Sequence, residues 1–221
     1  MKSFCGEKAI ISLTTWKARI GTVGKTLFSL HKMCPGFHIV LVLSEDEFPQ
    51  KEAELPDTIM AFVDQDLVEL LWVKQNTKSM KKVIYTMKRY PNVPVISADD
   101  DCLYTENYAE YLYDAWDKQR DTIFRYTHRK GHEHSPQGPC TIYPPENVCH
   151  LYERVIPDLE YGITVGDDDA IKKTIARCEM KVRCIGRRNP FVFHTTIGAM
   201  HKCQKNIDFY KGCFVRKPNY I

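Results

Sequence analysis

Val95-Ile96-Ser97-Ala98-Asp99-Asp100-Asp101-Cys102-Leu103-Tyr104 joins a run of small and β-branched residues directly to three carboxylates. The apolar part reads as a buried strand, and the acids stand at its carboxyl end. In α/β sheets that is where ligands bind. Three adjacent negative charges repel one another and favour a counter-ion, and oxygen-only ligands suit hard cations such as Mg²⁺ or Mn²⁺. A solvated acidic turn is the plainer reading of any Asp-Asp-Asp. The apolar run tight against Asp99 favours a metal and phosphate site.

Elements on either side support an α/β chain. Ala9 to Thr14 reads as a strand, and Val23, Leu27 and Leu30 mark the buried face of a helix. The intervening Thr14-Thr15-Trp16-Lys17-Ala18-Arg19-Ile20-Gly21 is a polar loop at a strand's carboxyl end, with hydroxyls for a nucleoside and Arg19 for phosphate. Ile39 to Ser44 is a second strand, closed by Glu45-Asp46-Glu47, which reads as a solvated cap. Val68 to Val73 is a third. Met80, Val83, Ile84 and Met87 then fall at helical spacing. Lys78, Lys81, Lys82 and Lys88 occupy the other face, where solvation is the ordinary reading. Because this helix feeds the Asp99 strand, Lys78, Lys81 and Lys82 are also candidates to face donor phosphates.

Tyr108, Leu112, Ala115 and Trp116 define a further helix with Asn107 as its N-cap. Thr122 to Arg125 is a short strand, and 127–139 is a polar loop. Pro144 and Pro145 open a helix running through Leu151. Asp167-Asp168-Asp169 precede Ile171, Thr174, Ile175 and Cys178, again at helical spacing. One Asp at a helix start is a cap; three exceed what capping requires. Alternating strands and helices predict a mostly parallel sheet flanked by helices, in a single domain.

Composition fits an ordinary soluble globular protein. Apolar residues make up 43% and charged residues 27%, ordinary values for a globular chain of 221 residues. No apolar run approaches the ~20 residues that span a bilayer, and Glu7 and Lys8 interrupt any leader-like start, so the expected location is cytoplasmic. Nine cysteines without a CxxC pair predict reduced thiols. Cys140, Cys149 and His150 are a weak zinc candidate, and His132-Glu133-His134 reads as a polar loop. Residues 181–221 hold nine Lys or Arg against Asp208 alone, while the whole chain is only +3. That basic tail suits a phosphorylated substrate or peripheral contact with an anionic membrane. No nucleic-acid motif accompanies it.

Taken in order, Ser12 to Ile20 (SLTTW-x-x-RI), the lysine-rich helix ending in Tyr90-Pro91, Asp99 to Asp101, Tyr143 to Pro145 and Asp167-Asp168 resemble a group of small bacterial-type glycosyltransferases with the GT-A fold. The resemblance spans roughly residues 9–200. It implies a donor-binding half (about 1–105) and an acceptor and catalytic half (about 106–221). Thr14, Thr15 and Arg19 would line the nucleotide pocket. Asp99 and Asp100 would lie at the donor, Asp99 also near the metal, and Asp101 would bind Mn²⁺ or Mg²⁺. Asp168 would be the base of an inverting transfer, with Asp167 in the place of the family's glutamate, and His194 a third metal ligand. The implied donor is a nucleotide-sugar, UDP-linked by family habit, and the acceptor a glycan or lipid-linked hydroxyl. Gly138-Pro139-Cys140 and Ala170 depart from the group's glycine-rich run and Trp, on the acceptor side. Two rivals remain. One is a sugar-phosphate nucleotidyltransferase using Gly21-Thr22-Val23-Gly24-Lys25, and the other a non-catalytic nucleotide- or carbohydrate-binding domain.

Overall fold

The computed structural model describes residues 8–126, 138–160, 167–186 and 192–194, with the backbone alone at 157–160, 167–169 and 192–194. The chain runs β1 (Ile10–Thr14), α1 (Val23–Met33), β2 (His38–Ser44), a 3-10 turn at Lys51–Glu54, α2 (Asp57–Asp64) and β3 (Glu69–Val73). A second 3-10 turn, Lys78–Met80, leads into α3 (Lys81–Arg89), followed by β4 (Val95–Ser97), β5 (Cys102–Tyr104) and α4 (Tyr108–Asp117). Then come β6 (Ile123–Tyr126), β7 (Thr141–Tyr143), α5 (Glu146–Cys149), α6 (Leu151–Glu160), α7 (Asp167–Arg177), β8 (Val182–Gly186) and β9 (Val192–His194).

Seven strands form one sheet in the order β3-β2-β1-β4-β7-β6-β8. β3, β2, β1 and β4 are parallel, β7 is antiparallel to both its neighbours, and β6 and β8 are parallel. β5 and β9 form a separate antiparallel pair. The expected α/β class holds, with β7 interrupting the parallel run. β1 is buried along its whole length and β2 from Ile39 onward, as strands covered on both faces must be. Successive side chains alternate between two cores. Ile11, Leu13, Leu41 and Leu43 pack with Leu27 and Leu30 of α1. Ile10, Val40 and Val42 pack with Tyr85 and Tyr90 on the opposite face.

The sheet builds outward from β1 to β3, then returns to the other side of β1 with β4. Connections on the two sides leave in opposite directions, so the carboxyl ends of β1 and β4 open a crevice at this reversal. Both the threonine loop and the acidic turn emerge there.

Local readings needed revision in three places. Asn107 adopts a left-handed conformation (φ 68°) and makes no side-chain cap bond, so it turns the chain into α4 without capping it. Asn tolerates that conformation better than most residues. The helix expected through Leu151 breaks at His150 (φ 51°), and Glu146 reaches past the break to accept the Tyr152 and Glu153 N–H groups at 2.9 and 3.3 Å. It thereby caps α6. Lys81 and Lys82, read as solvated, are 2% and 5% exposed. The reason lies in the crevice.

Candidate functional site

The acidic turn is held by neutral donors from several elements. Ala98 N–H bonds to the Ser12 carbonyl at 2.9 Å, carrying β4 alongside β1. The buried Tyr104 hydroxyl accepts the Asp99 N–H at 2.6 Å and donates to the Asp99 carbonyl at 3.2 Å. Thr26 of α1 contributes a hydroxyl lying 2.8 Å from both the Asp100 and Cys102 carbonyls. Tyr108, stacked on Tyr104 at 4.4 Å between ring centres, donates to the Ser97 carbonyl at 2.6 Å. Ser97 in turn donates to Gly138 O at 2.8 Å. Gly138 has φ +64°, a left-handed conformation that glycine adopts without strain, where the loop passes beside Asp99.

The three carboxylates diverge. Asp100 points inward, 6% exposed, and accepts the Thr15 hydroxyl at 2.6 Å. Burial raises its pKa against the opposing pull of Thr15 and Arg19. Asp99 and Asp101 face a cavity of about 360 Å³. Arg19 Nη1 lies 2.9 Å from Asp101 Oδ2 and 3.1 Å from Asp100 Oδ1, and Lys82 Nζ pairs with Asp99 Oδ1. Lys81 Nζ bonds to Asn76 Oδ1 at 3.1 Å and lies 3.4 Å from Glu47 Oε2. These carboxylates explain how α3 buries two lysines, since a buried charge must be paired. Lys78 stands at the rim, exposed, with a left-handed backbone. Among the described residues no carboxylate pairs with it.

Thus Thr14, Thr15, Arg19, Lys78, Lys81, Lys82, Asp99, Asp100 and Asp101 all line one cavity. Their tasks differ. The Thr14 hydroxyl is spent on the Val42 carbonyl at 2.6 Å, tying β1 to β2, and Thr15 orients Asp100. Four lining residues, Trp16, Glu47, Ser79 and Gly138, were not read from the sequence as site residues. Glu47, taken for part of a solvated cap, forms the wall beside Lys81, and Trp16 lies at the cavity 49% exposed. Nothing in a single acidic turn marks Glu47; its partner lies 34 positions away.

The donor set fits a hard cation. One oxygen each from Asp99 and Asp101 lies within 4.8 Å of the other and of Cys102 Sγ. Burial pushes the Cys102 thiol well above its usual pKa, which leaves a neutral, poor ligand. Two carboxylates remain, the type that Mg²⁺ and Mn²⁺ take. β9 pairs with β5 so that His194 stands opposite Cys102, next to the acidic turn; its side chain lies outside the described residues. The backbone of Asp167 and Asp168 opens α7, and Ala170, Ile171 and Ile175 of that helix share a core with Met80, at the end of the Lys78–Met80 turn on the cavity rim. The two aspartate side chains also lie outside the described residues.

Cys140, Cys149 and His150 are not brought together as a ligand set among the described residues; His150 lies instead with Glu146 and Glu153. The six described cysteines with assigned side chains are free thiols. His132-Glu133-His134 and residues 195–221 of the basic tail lie outside the described residues, and no described helix is long and apolar enough to cross a membrane.

The mostly parallel sheet, reversing beside an acidic turn and holding one antiparallel strand within it, has the fold of GT-A glycosyltransferases. Solved structures of one such enzyme, S. aureus TarS, are similar to this chain. TarS residues 1–349 with UDP superpose with a TM-score of 0.56 at 11% identity, over 85% of this chain and 60% of that one. TarS 1–349 with UDP-GlcNAc gives 0.53 at 12% identity, over 85% and 57%. The chain therefore spans less than two thirds of the length of these relatives, and at such identity the likeness is one of fold. No protein-family model matches the sequence, and the search of curated proteins gave no match.

Proposed function

We propose that this chain transfers a sugar from a nucleotide-sugar, UDP-linked, to an acceptor hydroxyl with the help of Mn²⁺ or Mg²⁺. The observation that carries this reading is the pairing of Asp99, Asp100 and Asp101 with Arg19 and Lys82 at the point where the sheet reverses. Such a site offers carboxylates to a cation and cations to a diphosphate within one cavity. UDP and UDP-GlcNAc in the TarS structures support the choice of donor.

Each residue has a role in this reading. Asp101 and Asp99 hold the ion, with His194 as a third ligand, and Arg19, Lys82 and Lys78 receive the diphosphate. Thr15 keeps Asp100 turned inward, and Thr14 fixes the loop that carries Thr15. When bound, the ion supplies neutralising charge for the departing nucleotide. Asp168 takes the proton from the acceptor hydroxyl as the sugar transfers with inversion, with Asp167 beside it. The acceptor is a glycan or a lipid-linked hydroxyl, the latter suiting a basic tail at an anionic membrane face.

Against the nucleotidyltransferase, none of residues 21–25 lines the cavity. A non-catalytic binding domain is separated by turnover alone. Labelled nucleotide-sugars with added Mn²⁺ should therefore show hydrolysis or transfer, and Asp101→Ala should abolish it while the protein stays folded. Calorimetry should also show UDP binding that EDTA removes. Equal UDP affinity with and without EDTA would refute the metal assignment.

A further inference from the structure

The acidic turn has counter-ions supplied by the chain itself. Arg19 Nη1 sits within 3.1 Å of both Asp100 and Asp101, and Lys82 is against Asp99. We propose that Arg19 and Lys82 hold the place of the divalent cation, so the site accepts the ion only as part of a complex with a diphosphate. This rests on the nucleotide-diphosphate reading above and states how that ligand is selected.

Three observations carry it. Asp99 and Asp101 each have one carboxylate oxygen against a positive group, and a free cation binding the same carboxylates meets both groups nearby, where repulsion survives partial screening. Arg19 is able to leave. Its backbone is fixed by Arg19 N–H to the Trp16 carbonyl and Thr22 N–H to the Arg19 carbonyl, both 2.9 Å. Its side chain is 38% exposed on a loop, so the guanidinium is the part that moves. The planar guanidinium also bonds pairs of phosphate oxygens, so a diphosphate offers it a replacement for the carboxylates it gives up.

Charge balance agrees. Among the described side chains lining the cavity, three carboxylates against Arg19 and Lys82 leave one negative charge, and Lys78 on the rim cancels it. A divalent ion alone would leave this described set doubly positive. The diphosphate of a nucleotide-sugar carries roughly two negative charges, which restores neutrality. Lys81 and Glu47 are a matched pair and do not alter the balance. A nucleoside or a free sugar brings no such charge and should not recruit the ion.

The test titrates Mn²⁺ onto the whole chain, following the free-ion paramagnetic resonance signal, alone, with UDP and with uridine. UDP should tighten Mn²⁺ binding at least about tenfold, Mn²⁺ should tighten UDP by the same factor, and uridine should do neither. In Arg19→Gln, Mn²⁺ without nucleotide should bind about fivefold or more tighter than in the unaltered chain, while the gain from UDP shrinks. Arg19→Lys keeps the charge and should restore weak binding of the free ion, which a purely structural role would not do. Equal or weaker Mn²⁺ affinity in Arg19→Gln overturns the proposal. If the unaltered chain still turns over a donor, the glycosyltransferase reading survives that result. If no UDP binds with Mn²⁺ present, both fall.

Discussion

Removing the Tyr104 hydroxyl tests whether the acidic turn is held in place by that group. The phenol is 1% exposed, accepts the Asp99 N–H at 2.6 Å and donates to its carbonyl at 3.2 Å. Tyr104→Phe keeps the ring and its 4.4 Å stacking on Tyr108, so packing is preserved and only the two bonds are lost. Each backbone group left without a partner costs about 1–3 kcal/mol. Together they should lower stability by about 2–6 kcal/mol, out of the ~5–15 kcal/mol typical of a folded domain. With a urea m-value of ~2 kcal/mol/M, the unfolding midpoint should fall by about 1–3 M with m unchanged. Burial pushes the Tyr104 phenol well above its usual range, so it stays protonated and the loss should be flat from about pH 5 to 9. Below the new midpoint the variant should remain folded yet bind UDP with Mn²⁺ more weakly, because Asp99 has lost its anchor. A midpoint shift under about 0.3 M would refute the hydrogen-bond account. An unchanged UDP affinity would separate the hydroxyl from the site.

Asp168→Asn keeps most of the capping capacity of a helix start, so UDP and Mn²⁺ affinity should be unchanged while transfer falls by about 10²–10⁴. Loss of donor binding instead would make Asp168 a ligand or a cap. Glu69 offers a pH test away from the site. Burial opposes its ionisation, but bonds from His38 Nε2 at 2.8 Å and the Tyr90 hydroxyl at 2.5 Å outweigh it and leave its pKa lowered. A lowered folded pKa gives stability that is present above the unfolded value of ~4.3 and is lost as pH falls through the folded one. The urea midpoints of the unaltered chain and Glu69→Gln should therefore differ at pH 7 and converge as the pH falls below the unfolded value of ~4.3 and through the lower folded one. A gap that persists in acid would assign the loss to packing.

The parts of the site that were legible in the sequence are those whose evidence is local. Val95 to Ala98 running into Asp99 announces both strand and site within a few residues, and the threonine loop follows β1 directly. What was hidden depended on partners distant in the chain. A helical wheel sends Lys81 and Lys82 to solvent, because their apolar neighbours Val83, Ile84 and Met87 define the buried side. Their carboxylates are 34 and 17 positions away, and no pattern within α3 refers to them. Glu47 is the other half of the same blindness. Strands β5, β7 and β9, each three residues long, are too short to show a period of two, so the antiparallel insertion in the sheet had no periodic signal.

The site divides position from charge. Thr26, Tyr104 and Tyr108 fix the backbone of the turn, and Thr15 fixes the inward Asp100, all with neutral hydroxyls. Neutral bonds to backbone do not compete with an incoming ion, and they persist whether or not the carboxylates are paired. Arg19 and Lys82 contribute charge without being needed for the course of the turn. Had Arg19 been the anchor, bringing a diphosphate into the cavity would have dismantled the carboxylate geometry it was meant to use. Anchoring by hydroxyls lets the counter-ions change partners while Asp99 and Asp101 stay where they are. For the same reason Tyr104→Phe and Arg19→Gln should act differently. The first should lower stability and nucleotide affinity together. The second should cost less stability, because the Thr15 hydroxyl still bonds the inward Asp100, and should alter chiefly what the cavity binds.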